Sequence, residues 1–307
     1  MEKQINPKVK SILLTGLSFF ISLFGWGQHY YSRNFTVNDG LPNNTIHSIF
    51  KDSRGVMWVG TGSGLCRFDG KGFQVIGSSQ GLAGDNVSSI AEDDQGNLWI
   101  GFMKGGITCY DGMKFTNYTA KQGLISDNVR VVWFSKKFHL LFVGTNDGCS
   151  VFDGKSFVSL TTKVTGTPDF YVMGFLDGQD YVNLYPNRKN DYYRYYPNNK
   201  SFKKVVTSYY PDHPASTAPV ILSNGDTMIG SLREGVNILN KGIKQSFYGM
   251  GQVFDIKSGE DGDYWIAAWS ENSLSKKIPG GLFRYHGGEV NRYSEKVGIT
   301  DWKIRTY

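Results

Sequence analysis

The chain has 307 residues, 15% aromatic and 20% charged, with 38 Gly, 9 Pro and a net charge of +6. Its basic residues are scattered with no run of five or more, which argues against a nucleic-acid partner. Three cysteines without a Cys-x-x-Cys and five isolated histidines provide neither a disulfide framework nor a metal signature, and no cofactor is expected.

Lys8 and Lys10 precede an apolar stretch from Ile12 to Phe24, and Gly25-Trp26-Gly27 supplies the small residues of a cleavage site. A membrane span needs roughly 20 apolar residues, and this stretch is shorter. Residues 1–27 are therefore expected to be a signal peptide, with a signal anchor as the competing reading. Residues 28–307 are then an exported domain, periplasmic or extracellular. Tyr30 to Val37 precedes the first Gly-Leu pair as Phe115 to Thr119 precedes the third, and reads as a fourth strand without its own first three.

One pattern then recurs about every 42 residues. Gly40-Leu41, Trp58-Val59-Gly60-Thr61, Phe68-Asp69-Gly70 and Phe73 return as Gly81-Leu82, Trp99-Ile100-Gly101, Tyr110-Asp111-Gly112 and Phe115. They return again as Gly123-Leu124, Phe142-Val143-Gly144-Thr145, Phe152-Asp153-Gly154 and Phe157. Each copy resolves into four short strands, the first covering Ile46 to Phe50, Val87 to Ala91 or Val129 to Phe134. Acid-and-glycine turns follow, read as Asp52-Ser53-Arg54-Gly55 and Asp94-Gln95-Gly96. Four antiparallel strands per repeat make a propeller blade, a unit that buries its apolar faces only by stacking on its neighbours. Trp58 and Trp99, on second strands, are expected in the core, as are Cys66, Cys109 and Cys149 on third strands.

Later copies degenerate. Residues 170–202 read as a fourth blade, 218–247 as a fifth, and Tyr264-Trp265-Ile266 with Gly281-Leu282-Phe283 as the sixth. Gly298-Ile299-Thr300-Asp301-Trp302 matches the opening of a seventh. The fold class is therefore all-β, a β-propeller of about six complete four-stranded blades plus a partial seventh. The unfinished blade is expected to mark a piece of a longer product, with a six-bladed ring bearing extra terminal strands as the alternative.

These motifs resemble the two-component regulator propeller repeat: Gly-Leu-x-x-Asn-x-Ile-x-x-Ile, then Asp-x-x-Gly-x-Leu-Trp-Ile-Gly-Thr, then Gly-Leu-x-x-Tyr-Asp-Gly-x-x-Phe. The third copy departs from it, with Phe142 for Trp and Lys136-Lys137-Phe138 for the Asp-x-x-Gly turn. The resemblance implies the exported sensor region of a membrane histidine kinase, often a hybrid one, responding to glycan fragments. It implies an oligosaccharide ligand and the membrane-linked kinase region of a longer chain as partners. A homodimer is compatible with it. No kinase chemistry falls on these residues.

Blade geometry puts the Gly-Leu turns and the loops between second and third strands on one rim. The longest insertion there is in blade six, where Trp269 could stack on a sugar and Asn272 bond its hydroxyls. His47, Ser88, Arg130 and Arg305 share one position on the first strands, with Phe254 in blade six, and the two arginines suit acidic groups. Tyr193 and Tyr195 in the Tyr-rich run of blade four are stacking candidates, although alternation sends half of that run inward. Asp52, Asp94 and Glu260 are explained by their turns, and catalytic residues are not assigned. A polysaccharide lyase or hydrolase, and a structural subunit of a secretion or surface-assembly system, are the alternative functions.

Overall fold

The computed structural model describes residues 33–161, 172–186, 192–205, 217, 219–231, 235–240, 243–248, 250–259, 261–269, 271–273, 276–278 and 281–293. Six four-stranded antiparallel sheets follow one another as propeller blades. Blade one is Ile46–Lys51, Met57–Thr61, Gly64–Phe68 and Phe73–Ile76. Blade two is Val87–Glu92, Leu98–Phe102, Ile107–Tyr110 and Phe115–Tyr118, and blade three is Val129–Ser135, Leu140–Thr145, Gly148–Phe152 and Phe157–Thr161. Blade four comprises Val172–Asp177, Val182–Pro186, Tyr192–Tyr196 and Ser201–Val205. Blade five comprises Val220–Ile221, Thr227–Gly230, Val236–Asn240 and Ile243–Phe247. Blade six is Gln252–Ser258, Tyr264–Trp269, Gly281–His286 and Glu289–Arg292. The first strands of blades one to four pack side by side, so they line the centre of the ring. The expected first strand of blade seven lies outside the described residues.

The Gly-Leu pair has a local cause. Each of Val37–Asp39, Ser78–Gln80 and Ala120–Gln122 is a 3-10 turn. Gly40, Gly81 and Gly123 end these turns at φ of 103°, 112° and 105°, a left-handed conformation that favours glycine. The following Leu41, Leu82 and Leu124 are buried. The N-terminal copy of this turn corrects one expectation. Residues 33–36 carry no strand and Val37 belongs to the 3-10 turn; residues 30–32 lie outside the described ones. Phe35 instead packs edge-on against Phe68 and Phe73.

The Asp turn and the Trp of the repeat form one unit. Asp52 accepts from the Arg54 and Val56 amides at 3.0 and 2.8 Å and from Trp58 Nε1 at 3.0 Å. In blade two the equivalent acid is Asp93, not Asp94 as the sequence suggested. Asp93 accepts from the Gln95 and Asn97 amides and, at 2.9 Å, from Trp99 Nε1. Asp94 turns outward and meets His139 of blade three. Blade three has lost both halves of the unit. Ser135 stands for the acid and Phe142, without a donor, for the indole. Ser135 donates across to Asp177 of blade four at 2.7 Å.

Blades lock through their first strands. Gly60, Gly101, Gly144 and Gly230 sit on second strands where the next blade presses a first-strand valine against them. A Cβ on Gly60 would lie 2.5 Å from Val87 Cγ1, and one on Gly101 would lie 2.7 Å from Val129 Cγ1. On Gly144 it would meet the Val172 carbonyl oxygen at 2.7 Å, and on Gly230 Val253 Cγ1 at 2.6 Å. All four valines are fully buried. The repeat's Trp-Ile-Gly-Thr thus encodes an interblade contact.

A second lock explains why Cys66 aligns with Thr108 and Ser150. Thr108 Oγ1 accepts the Ala83 amide and Ser150 Oγ the Ile125 amide, each at 3.0 Å. The residue equivalent to Ala83 in blade one is Pro42, which has no N–H, so an apolar Cys66 suffices there. Thr108→Val should leave the Ala83 amide unpaired and cost about 1–3 kcal/mol. Equilibrium denaturation of the variant beside Cys66→Ser, which strands no backbone donor, checks this. Among the described residues the cysteines are free, and burial pushes the Cys66 and Cys109 thiols up to about 11.

Candidate functional site at the upper rim

The first strand carries a device that the repeat pattern alone does not reveal. In blades one, two, three, four and six its pairing with the second strand slips by one residue near the rim. The extra residues are His47, Ser88, Arg130, Met173 and Phe254. Four of these are the positions that the sequence aligned; the β-bulge is the physical reason they stand apart. A bulge lets one residue leave the alternation of its strand and re-aims its side chain.

The bulges lie beside the loops joining second and third strands. Gly62 donates to the Thr45 carbonyl, Met103 to that of Asn86 and Asn146 to that of Asn128, at 3.1, 2.9 and 3.1 Å. Gly106 of blade two donates to Asp127 of blade three at 3.0 Å, so neighbouring blades share this rim. Arg130 Nε donates to Asn146 Oδ1 at 2.6 Å, and its Nη1 reaches Met103 Sδ of blade two at 3.5 Å. Arg130 therefore spans two loops and is held in place.

His47 Nδ1 and Ser88 Oγ are buried without a hydrogen-bond partner. A buried, unsatisfied polar atom costs roughly 1–3 kcal/mol. Two at the same bulge in adjacent blades form the strongest sign of a site in the described structure. Burial pulls the His47 imidazole below its ordinary value, so the ring is neutral at neutral pH. The arc from blade one to blade three thus offers a neutral imidazole, a hydroxyl and a guanidinium. Phe254 continues the same position in blade six with an apolar side chain.

The other sequence candidates fall differently. Tyr193 and Tyr195 are core residues, 4% and 2% exposed, packed with Phe142 and Phe175 between blades three and four. They do not form a stacking surface. Alternation turns the other half of that run the opposite way, where the Arg194 guanidinium lies 4.1 Å from the centroid of Tyr181 and Tyr192 stacks on Tyr185. The blade-six insertion is a two-stranded hairpin, Glu271–Ser273 with Lys276–Ile278. Asn272 lies on this hairpin and Trp269 ends the second strand of blade six before it, their side chains outside the described residues, as is Arg305. Asp52 and Asp93 are occupied by their Trp partners. Glu260 is not among the described residues, where no group of three metal-ligating side chains gathers. No helix of the described residues is long and apolar enough to cross a membrane.

The two component regulator propeller family model matches residues 40–63 and 81–104, the Gly-Leu-to-loop stretches of blades one and two. The resemblance drawn from the motifs is therefore shown for these two repeats. Histidine kinase P4 of Formosa agariphila is 38% identical over 71 residues, covering 23% of this chain and 5% of that protein. The fold is similar to the crystal structure of the extracellular domain of the hybrid two component system BT3049 from B. thetaiotaomicron. That match has 21% identity and a TM-score of 0.65, covering 83% of this chain and 35% of that one. Virginiamycin B lyase from Staphylococcus aureus has the same fold at 11% identity and a TM-score of 0.63, covering 81% of this chain and 84% of its own. The chain thus spans only a small part of the kinase and about a third of the BT3049 domain.

Proposed function

We propose that this propeller, two of whose blades carry two component regulator propeller repeats, is the exported sensing domain of a two-component histidine kinase. Its ligand is a glycan fragment held at the upper rim over blades one to three. The observation that carries the reading is the pair of unsatisfied atoms, His47 Nδ1 and Ser88 Oγ, at equivalent bulges. Sugar hydroxyls donate and accept at once, so they suit a neutral imidazole beside a hydroxyl. Arg130 would take a carboxylate or sulfate on an acidic sugar. Trp269 at the end of the second strand of blade six, Asn272 on the hairpin and Arg305 are proposed as further contacts. The P4 kinase and the BT3049 domain support the sensor reading; the predicted leader at residues 1–27 supports export.

Isothermal titration of the purified chain with a panel of neutral and uronic-acid oligosaccharides tests this reading. Saturable binding without cleavage is expected. Arg130→Gln should weaken the acidic members at least tenfold and leave neutral ones nearly unchanged. Affinity should be flat above pH 7 and fall as His47 protonates, because the folded structure favours the neutral ring. Turnover of any oligosaccharide would instead favour the lyase or hydrolase reading.

A further inference from the structure

Four of the five seams between successive blades are built alike. A glycine on the second strand, Gly60, Gly101, Gly144 or Gly230, admits the buried valine of the following blade. A large apolar residue two positions earlier, Trp58, Trp99, Phe142 or Met228, is buried against that blade's first strand. Trp58 shares a core cluster with Ile90, Trp99 with Val132 and Met228 with Ile256, and the Phe142 ring lies 5.2 Å from that of Phe175.

The seam between blades four and five keeps neither half of this arrangement. Tyr185 pairs with the first strand at the position of Gly60, so a Cβ stands where the lock needs none. Asn183 takes the place of Trp58, and pairs with Arg194 as Trp58 pairs with Arg67. Arg194 Nε donates to Asn183 Oδ1 at 3.3 Å and its Nη2 to the Tyr192 hydroxyl at 3.1 Å. The guanidinium lies 4.1 Å from the centroid of Tyr181, and Tyr192 stacks on Tyr185. All of these residues belong to blade four, so the polar groups of its face close on one another. Across the seam, the first strand of blade five is only Val220–Ile221, against six or seven residues in the other blades. Asn237 of blade five, at the Thr108 position, is fully buried with Nδ2 unpaired. Among the described residues, core clusters join blades one to two, two to three, three to four and five to six, and none joins four to five.

We infer that the propeller is divided into two bodies, blades one to four and blades five and six, hinged at the seam between blades four and five. The glycine–valine lock fastens the blades within each body and is missing between them. A protein opens in cooperative units, and their boundaries fall where little apolar packing crosses. The bulges of His47, Ser88 and Arg130 then belong to one body and that of Phe254 to the other. Movement at the seam therefore changes the span of the rim from blade three to blade six.

Native-state hydrogen exchange of the full chain in low denaturant, read by mass spectrometry, tests this division without any substitution. Second and third strands of blades five and six are expected to exchange at one common rate. That rate should be at least about tenfold faster than for the same strands of blades one to four. A single rate for all six blades, blade four exchanging with blade five, or blades five and six opening separately would each overturn the inference. Arg194→Leu gives a second readout. The contacts of Arg194 lie within blade four, so the rate for blades five and six should stay within about twofold of the parent. A rise of about tenfold would show that Arg194 fastens the seam, and would contradict the division.

Discussion

Gly60→Ala is expected to lower stability by about 3 kcal/mol, the upper end of overpacking costs, and the melting temperature by roughly 6–12 °C. The new methyl would lie 2.5 Å from Val87 Cγ1, closer than real side chains approach, and a tight 3.1 Å from its Cβ. Val87 is fully buried and β-branched, so it cannot swing aside. The severe part of the clash, with Cγ1, is removed if the valine is shortened to alanine, leaving the tight contact with its Cβ, which makes the claim specific. In a Val87→Ala background the same glycine change should cost less than about 1 kcal/mol, giving a coupling of roughly 2 kcal/mol in a double-mutant cycle. Additive costs would show that glycine serves the strand backbone and not the interblade contact. Chemical denaturation of the four proteins measures this.

Asp93→Ser is the second large effect. The Asp93 carboxylate gathers Trp99 Nε1, two backbone amides and the Asn97 side-chain amide at 2.9 Å. Losing it strands the buried Trp99 indole N–H and three part-buried amide donors, for an expected total near 4 kcal/mol at about 1–3 kcal/mol for a buried donor. Blade three shows the compensated form, with Ser135 and Phe142 replacing acid and indole together. Adding Trp99→Phe to Asp93→Ser should therefore recover more than 1 kcal/mol, although Trp99→Phe alone destabilises. If the pair is simply additive, the Asp–Trp unit is not one interaction. Asp52 gives the same unit a pH signature. Burial pushes its carboxyl up, but hydrogen bonds from Trp58, Val56 and Arg54 and the Arg54 charge outweigh this and hold it below the ordinary value. Its stabilisation is present above the ordinary carboxylate range and is lost as pH falls through the lowered value. The acid-induced fall in melting temperature should be shallower in Asp52→Asn.

The blades were readable in the sequence because a period of this length survives substitution of single anchors. The phase of the turn was less readable. Asp93 and Asp94 are adjacent, and only the hydrogen bond to Trp99 decides between them. The bulge leaves no compositional mark, since one extra residue in a strand looks like strand. Alignment nevertheless brought His47, Ser88 and Arg130 to one position, because the bulge repeats with the blade. Tyr193 and Tyr195 were misread for a related reason. A run of tyrosines shows an alternating pattern but not which half faces the core, and that is set by Phe142 of blade three and Phe175 on the first strand of blade four. The significance of Gly60 and its equivalents was hidden because the contact is with the following blade.

Hydrogen–deuterium exchange with and without a bound oligosaccharide tests the central claim most directly. The rim account predicts protection over residues 43–48, 84–89 and 127–131, with little change in the Asp turns at residues 52–56 and 93–97. The protection should vanish in the His47→Ala/Ser88→Ala double variant, whose melting temperature should stay within a few degrees of the parent. Protection on the outer strands of blade four, or at the Asp turns, with the upper rim unchanged, would contradict it.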